Sequence, residues 1–228
     1  MIRMSPSTFD FGVAAERYEH WYETAQGVVY DRIEKRAIGR VLPDSQHGNQ
    51  LLEIGCGTGH WSRFFAERGF RVTGIDISLE MINVAQGECL ADTSFSVADA
   101  ARLPFPDGSF DIVVAITVLE FVAEPWNTLR EMARCVSSGG RIVVGALNRH
   151  SILGIWRRFR PSDVFGSAKM FSASELYKLL SHFGRATVRT VAFVIPWRWL
   201  LWTAPFLDAL GRGCRLPWGD FLVGEVHT

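Results

Sequence analysis

Residues 51–61 read LLEIGCGTGHW, an apolar run with an acid at Glu53 and then glycine at every second position, Gly55, Gly57 and Gly59. So bare a backbone can turn through positive φ and lets a ligand approach the main chain with no Cβ in the way. A helix that follows such a turn points its free N–H groups at the same spot. The spacing is GxGxG, because the sixth position holds His60. A pyrophosphate turn wants glycine there, so the pattern suits a closer, bent approach by a ligand without a pyrophosphate. Asp76 follows about 20 residues later, where an acid at a strand end can accept from a ribose diol. Asp99 ends the next strand and can accept from the amino group of a purine. Singly, each has a plainer reading: glycine-rich turns occur without ligands, and acids at strand ends cap loops. At three successive strand ends they describe one nucleoside-sized crevice.

These residues need a scaffold that brings strand ends together. "QLLEI", "RVTGID", "SFSVAD", "FDIVVAIT" and "RIVVGAL" read as strands. Helices alternate with them: "GHWSRFFAERG", ended by Gly69; "SLEMINVAQG", with Ser78 as cap; and "EPWNTLREMARCVSSGG", with Pro125 in its first turn. That alternation predicts an α/β sheet, parallel through five strands, with helices on both faces. Ahead of it, residues 17–43 read as helix, break at Gly27, helix. After it comes a helix with a capping box, Ser172 with Glu175. Two last strands, "ATVRTVAFV" and "FLVGEV", flank a Trp-rich insert. The expected organisation is one domain over 1–228, with a helical lid (1–44), a ligand-binding core (45–150) and a C-terminal part carrying the insert (151–228).

Composition narrows the classes. Lys plus Arg and Asp plus Glu number 24 each, so no general electrostatic pull on nucleic acid is expected. Cys56, Cys89, Cys135 and Cys214 are scattered, without CxxC pairs or neighbouring histidines. They read as free thiols of a reducing compartment, with no metal site. The N-terminal residues have no apolar core of signal-peptide length, and a cytoplasmic location is the expectation. The longest apolar stretch, residues 191–207, contains Pro196, Arg198 and Pro205. It falls short of the roughly 20 residues a bilayer span needs.

Three stretches, "LLEIGCGTGHWSRFFAERGFRVTGIDIS", "VADAARLPFPDGSFDIVVAITVLEFV" and "LREMARCVSSGGRIVVGALNR", together resemble class I S-adenosylmethionine-dependent methyltransferases. The branch they resemble is the small-molecule one that includes the ubiquinone and menaquinone biosynthesis enzymes, the methyltransferase type 11 domain. The resemblance implies a Rossmann-like, doubly wound, seven-stranded, mostly parallel sheet whose last strand is antiparallel. It implies S-adenosyl-L-methionine as cofactor and S-adenosyl-L-homocysteine as product. Glu53, Gly55, Cys56, Gly57 and Gly59 would border the methionine part, and Asp76 would hold the ribose hydroxyls. Ile77 would pack on the adenine, Asp99 and the backbone of Ala100 would read its edge, and Thr117 would face the reactive side. Where the family often has "LEHV", this chain has "LEFV", so Phe121 stands in place of a histidine.

Methyl transfer needs a nucleophile aligned with the sulfonium methyl and water excluded. A base is needed only if the acceptor keeps its proton at neutral pH. Glu120, His150 and Tyr22 are the weak candidates for such chemistry, each with an ordinary structural reading beside it. Tyr18, Trp21 and Tyr22 could belong to a lid or to a packed aromatic stripe. Arg157, Arg158 and Arg160 beside Trp156 could meet an anionic acceptor or lipid, or be a solvated face. The segment "PWRWLLWTAPFL" could roof an apolar pocket, touch a membrane surface, form a dimer contact, or lie buried. The expected function is methyl transfer to a small, partly apolar acceptor at O, N or C. A non-catalytic subunit that binds the cofactor is the alternative. A nicotinamide oxidoreductase is disfavoured by His60.

Overall fold

Along β1 (Gln50–Ile54) and β4 (Phe110–Ile116), alternate side chains divide between two hydrophobic cores. Leu51, Ile112, Val114 and Ile116 enter one, while Leu52, Ile54, Val113 and Ala115 enter the other. A period of two with both phases apolar requires cover on both faces, as the near-continuous apolar strands predict. The computed structural model describes residues 15–44, 49–87, 91–157, 168–194, 197–214 and 216–228. The side chains of residues 15–18, 152, 156, 157 and 198 lie outside that description. So do His47 and, among residues on which sequence expectations fell, Cys89, Arg158, Arg160 and Pro196.

The sheet has seven strands in the order β3-β2-β1-β4-β5-β7-β6. The remaining strands are β2 (Arg71–Asp76), β3 (Thr93–Val97), β5 (Val136–Leu147), β6 (Arg185–Val191) and β7 (Phe221–His227). The first five pair in parallel, and β7 runs antiparallel between β5 and β6. The fold is the doubly wound α/β sheet with an antiparallel last strand that the sequence predicts. One face is covered by α2 (Ala25–Gly39), α3 (His60–Ala66) and Leu201 and Ala204 of the insert. The other is covered by α5 (Pro125–Cys135) and α7 (Ala173–Leu180). The described residues also form helices α4 (Leu79–Gly87) and α6 (Ile152–Arg157), a 3-10 segment (Arg198–Thr203) and α8 (Ala204–Gly213).

The helix signals hold where they rest on capping chemistry. Ser172 and Glu175 form a reciprocal box at the start of α7, and the Ser78 hydroxyl accepts the Met81 N–H at 3.2 Å. The break in the N-terminal helices lies at Thr24, not at Gly27. Thr24 Oγ1 accepts the Gly27 N–H at 2.9 Å and donates to the Trp21 carbonyl at 2.7 Å, ending α1 (Ala15–Glu23) and capping α2. Gly27 sits inside α2 because a Cβ there would meet the Trp21 carbonyl oxygen at 2.0 Å. That glycine permits a close helix corner, where sequence alone reads it as a breaker.

Candidate active site

In this strand order the topological switch lies between β1 and β4, and open α/β sheets bind ligands beyond the strand ends at that point. The two loops there press on each other. A Cβ on Gly55 would come within 2.5 Å of Val118 Cγ2, and φ at Gly55 is +65°. Both conditions demand glycine. Beside it opens a cavity enclosing about 1020 Å³, its open mouth included. Gly55, Gly57, Asp76, Ile77, Asp99, Ala100 and Thr117 all line it. The sequence thus brings together residues from four strand ends.

Asp76 ties the turn to the next strand. Its Oδ2 accepts the Gly57 N–H and its Oδ1 the Ser78 N–H, each at 2.9 Å. Burial pushes this carboxyl above its ordinary pKa, and the bonds from Ser78, Gly57 and Ile77 pull the other way. Asp99 Oδ1 accepts the Ala101 N–H at 2.8 Å, so it caps the loop and lines the cavity at once. Thr117 has φ +55°, a left-handed conformation that costs a β-branched residue of order 1–3 kcal/mol. Its N–H is held by the Gly145 carbonyl at 2.8 Å. Strain of this kind collects where a fixed surface is required.

Three residues of the sequence set lie behind this wall. Glu53 is buried beneath the turn, with Oε2 accepting from Ser62 Oγ at 2.5 Å. Burial pushes Glu53 up to about 8, and the charge of Asp76 adds to the shift. Cys56 is buried, which raises its thiol pKa. Gly59, at φ +91°, starts α3.

Val122, Asn127 and Thr128 also line the cavity and were not singled out in the sequence. Thr128 lies one turn into α5 and is buried, and its hydroxyl has no hydrogen-bond partner among the described residues. The signal in the sequence is a hydroxyl on the apolar stripe of α5, four residues before Met132. A buried polar atom without a partner is costly unless a ligand or water satisfies it. Acids at two strand ends, a Cβ-free turn and this hydroxyl in an apolar wall fit an adenosyl ligand: polar at its ribose and base edges, apolar on the base faces.

The model of the family described as Methyltransferase domain matches residues 52–144. Uncharacterized protein MJ1123 of Methanocaldococcus jannaschii is 30% identical over 181 residues, covering 78% of this chain and 82% of that protein. The chain belongs to the class I S-adenosylmethionine-dependent methyltransferases. The demethylmenaquinone methyltransferase of Paenarthrobacter aurescens is 36% identical over 114 residues, 50% of this chain and 44% of that enzyme. The chain therefore spans about half the length of that enzyme. A S-adenosylmethionine-dependent methyltransferase from Thermotoga maritima shares the fold, with TM-score 0.75 at 24% identity over 95% and 97% of the two chains. The protein is thus a methyltransferase that uses S-adenosyl-L-methionine.

The methyltransferase's three candidates for acid–base work stand apart from the cavity lining. Glu120 is wholly buried, and its Oε1 accepts the Leu147 N–H at 2.5 Å, tying the end of β4 to that of β5. His150 is exposed, and its N–H donates to Asn148 Oδ1 at 3.1 Å. Tyr22 stacks on His60, with ring centroids 3.7 Å apart.

That last contact explains the residue that breaks the pyrophosphate pattern. His60 Nε2 lies 2.7 Å from Asp31 Oδ1 and 2.8 Å from Lys35 Nζ, both on α2. Lys35 also reaches Asp31 Oδ2 at 3.1 Å. Burial works to raise the Asp31 carboxyl, but the hydrogen bond and charge of His60 and the charge of Lys35 outweigh it and hold it low. Thr58 Oγ1 donates to Glu19 of α1. The N-terminal helices are therefore latched to the glycine turn through His60 and Thr58. His60→Ala is expected to speed amide exchange over residues 19–24 and to weaken cofactor binding about fivefold, the worth of one net contact near 1 kcal/mol. Exchange mass spectrometry and calorimetry read the two effects. Unchanged exchange would detach the latch from His60.

Proposed function

We propose that this methyltransferase acts on a small, partly apolar acceptor at an oxygen, nitrogen or carbon atom, by in-line displacement at the sulfonium methyl. The observation that carries this reading is the make-up of the cavity: polar groups at the strand ends, and Ile116, Val118, Phe121, Val122 and Ala123 forming an apolar wall beside Thr117. S-adenosyl-L-methionine supplies an electrophilic methyl group that needs no further activation. The chain's own residues bind and orient. Asp76 holds the ribose hydroxyls, Asp99 and the Ala100 backbone the adenine edge, and Ile77 a base face. Gly55 and Gly57 offer main-chain groups to the methionine part, with Glu53 below them. Phe121 leaves no histidine at this wall to take a proton. With Glu120 committed to the Leu147 N–H, the reading favours an acceptor that is already nucleophilic at neutral pH. Alignment and exclusion of water then supply the acceleration.

The test is formation of S-adenosyl-L-homocysteine with a panel of amines, phenols and quinols of graded apolarity. Turnover is expected with a ring-bearing, partly apolar acceptor. Tight cofactor binding without product from any acceptor of the panel would defeat this assignment. His150→Ala is expected to keep kcat/KM within about twofold, as for a surface substitution worth under 0.5 kcal/mol. Total loss of turnover in a folded His150→Ala protein would make it the base.

A further inference from the structure

The insert between β6 and β7 presents its large apolar side chains to solvent. Trp197, Trp199, Trp202, Phe206, Leu210 and Trp218 are between 51% and 79% exposed. Trp199 and Trp202 are three apart on the 3-10 segment, where such pairs share a face. Phe206 and Leu210 continue the stripe along α8 at a spacing of four. The buried side of α8 is made of Ala204, Asp208 and Gly211, with the Phe193 ring against Gly211. Asp208 fixes this orientation, accepting the Ala192 N–H at 2.8 Å and Arg212 Nε at 2.7 Å. The helix is thus held to the body through its small and polar side, and its greasy side is turned outward. An apolar patch of this extent marks an interaction surface.

Charge chooses the occupant. Between residues 191 and 219 the sequence holds Arg198, Arg212 and Arg215 against one acid, Asp208, which is buried and paired with Arg212. The 3-10 segment packs against α2 on the same layer, and the outer side of α2 exposes Arg32, Arg36 and Arg40 at spacing four. A second copy of the chain would bring the same arginine-flanked face and repel it. An anionic lipid surface satisfies both parts, since tryptophan favours the headgroup boundary and arginine the phosphates.

We propose that the face formed by Trp199, Trp202, Phe206 and Leu210, flanked by Arg32, Arg36 and Arg40, docks this methyltransferase on anionic bilayers. The insert leaves and rejoins the sheet at Val191 and Phe221, which pair with each other beside Leu147 at the carboxyl end of β5. Both ends of the insert therefore lie at the carboxyl end of the sheet, the end on which the cavity opens. The docking itself is independent of which acceptor is methylated.

The experiment is co-sedimentation with phosphatidylcholine vesicles, with and without phosphatidylglycerol, alongside tryptophan quenching by brominated lipid. The wild type is expected to bind the mixed vesicles, with its tryptophans quenched, and to release at high salt. The triple variant Trp199→Ser, Trp202→Ser, Phe206→Ser is expected to bind at least tenfold more weakly. Arg32→Gln, Arg36→Gln, Arg40→Gln should lose about a hundredfold on mixed vesicles. Both variants should keep cofactor affinity by calorimetry, which separates failure of docking from failure of the catalytic reading. No binding by a folded wild type, or equal binding by the aromatic variant, overturns the proposal. So does a wild-type dimer that the aromatic variant dissociates, which would assign the face to a second copy.

Discussion

Asp76→Ala is expected to weaken S-adenosyl-L-methionine binding by roughly 10²–10³-fold while the sheet stays folded. The carboxylate does two things at once. It ties the glycine turn to the end of β2 through the Gly57 and Ser78 N–H groups, and its remaining lone pairs are the acceptors at the cavity wall. On the proposed reading its removal deletes the bonds to the ribose hydroxyls, and it also frees the Gly57 N–H that Asp76 holds. Hydrogen bonds to a charged group are worth about 1.5–3 kcal/mol each, and two of them near the lower end, about 3–4 kcal/mol together, give the stated range at about 1.4 kcal/mol per tenfold. Asp76→Asn separates the roles. It keeps one acceptor oxygen but turns an N–H₂ group toward one of the two backbone donors, so its affinity should fall between those of alanine and the wild type. Calorimetry on both variants, beside a thermal-shift series with S-adenosyl-L-methionine and NAD, checks this. An Asp76→Ala protein that binds the cofactor as tightly as the wild type would remove the ribose assignment.

The sequence displays the cavity far better than it displays its surroundings, and the reasons are local. Gly55, Gly57, Asp76 and Asp99 announce themselves because strand ends carry few competing demands, so their residue types reflect the backbone turn and the cavity they line. The capping box at Ser172 and the proline at the start of α5 are read for the same reason: the partners lie within a turn. Gly27 misleads because its cause is distant in kind. It answers a close approach to Trp21 across the helix corner, and no local rule separates that from a helix break. His60 signals in the sequence only the absence of a glycine, whereas its partners Tyr22, Asp31 and Lys35 come from helices some thirty residues earlier. The tryptophan-rich insert is the plainest limit. Periodicity gives the phase of an apolar stripe but not the direction it faces, and here the small residues and Asp208 take the inside of α8.

Glu53 gives the largest expected effect on stability. Burial is the main cause of its rise from 4.5 to about 8; the Ser62 hydrogen bond opposes the rise and the charge of Asp76 adds to it. In the folded state the carboxyl keeps a proton that the unfolded chain surrenders above about 4.5. Between 4.5 and 8 the unfolded state therefore binds fewer protons, and stability falls as pH rises. The slope is about 1.4 kcal/mol per pH unit, or at most about 5 kcal/mol over the window, and it levels above the folded pKa. Glu53→Gln keeps an acceptor for Ser62 without a titrating proton, so its stability should stay flat where that of the wild type declines. Denaturant titrations at the two ends of the window read this directly. The proton also reports on the cofactor. On the proposed reading the ammonium group of the methionine part lies above the glycine turn, and its charge would favour the Glu53 carboxylate beneath it. Binding at neutral pH should therefore release a proton, seen as a binding enthalpy that depends on the ionisation enthalpy of the buffer. That dependence should vanish in Glu53→Gln. A wild type equally stable at both ends of the window, with buffer-independent binding, would mean that Glu53 is already ionised beneath the glycine turn.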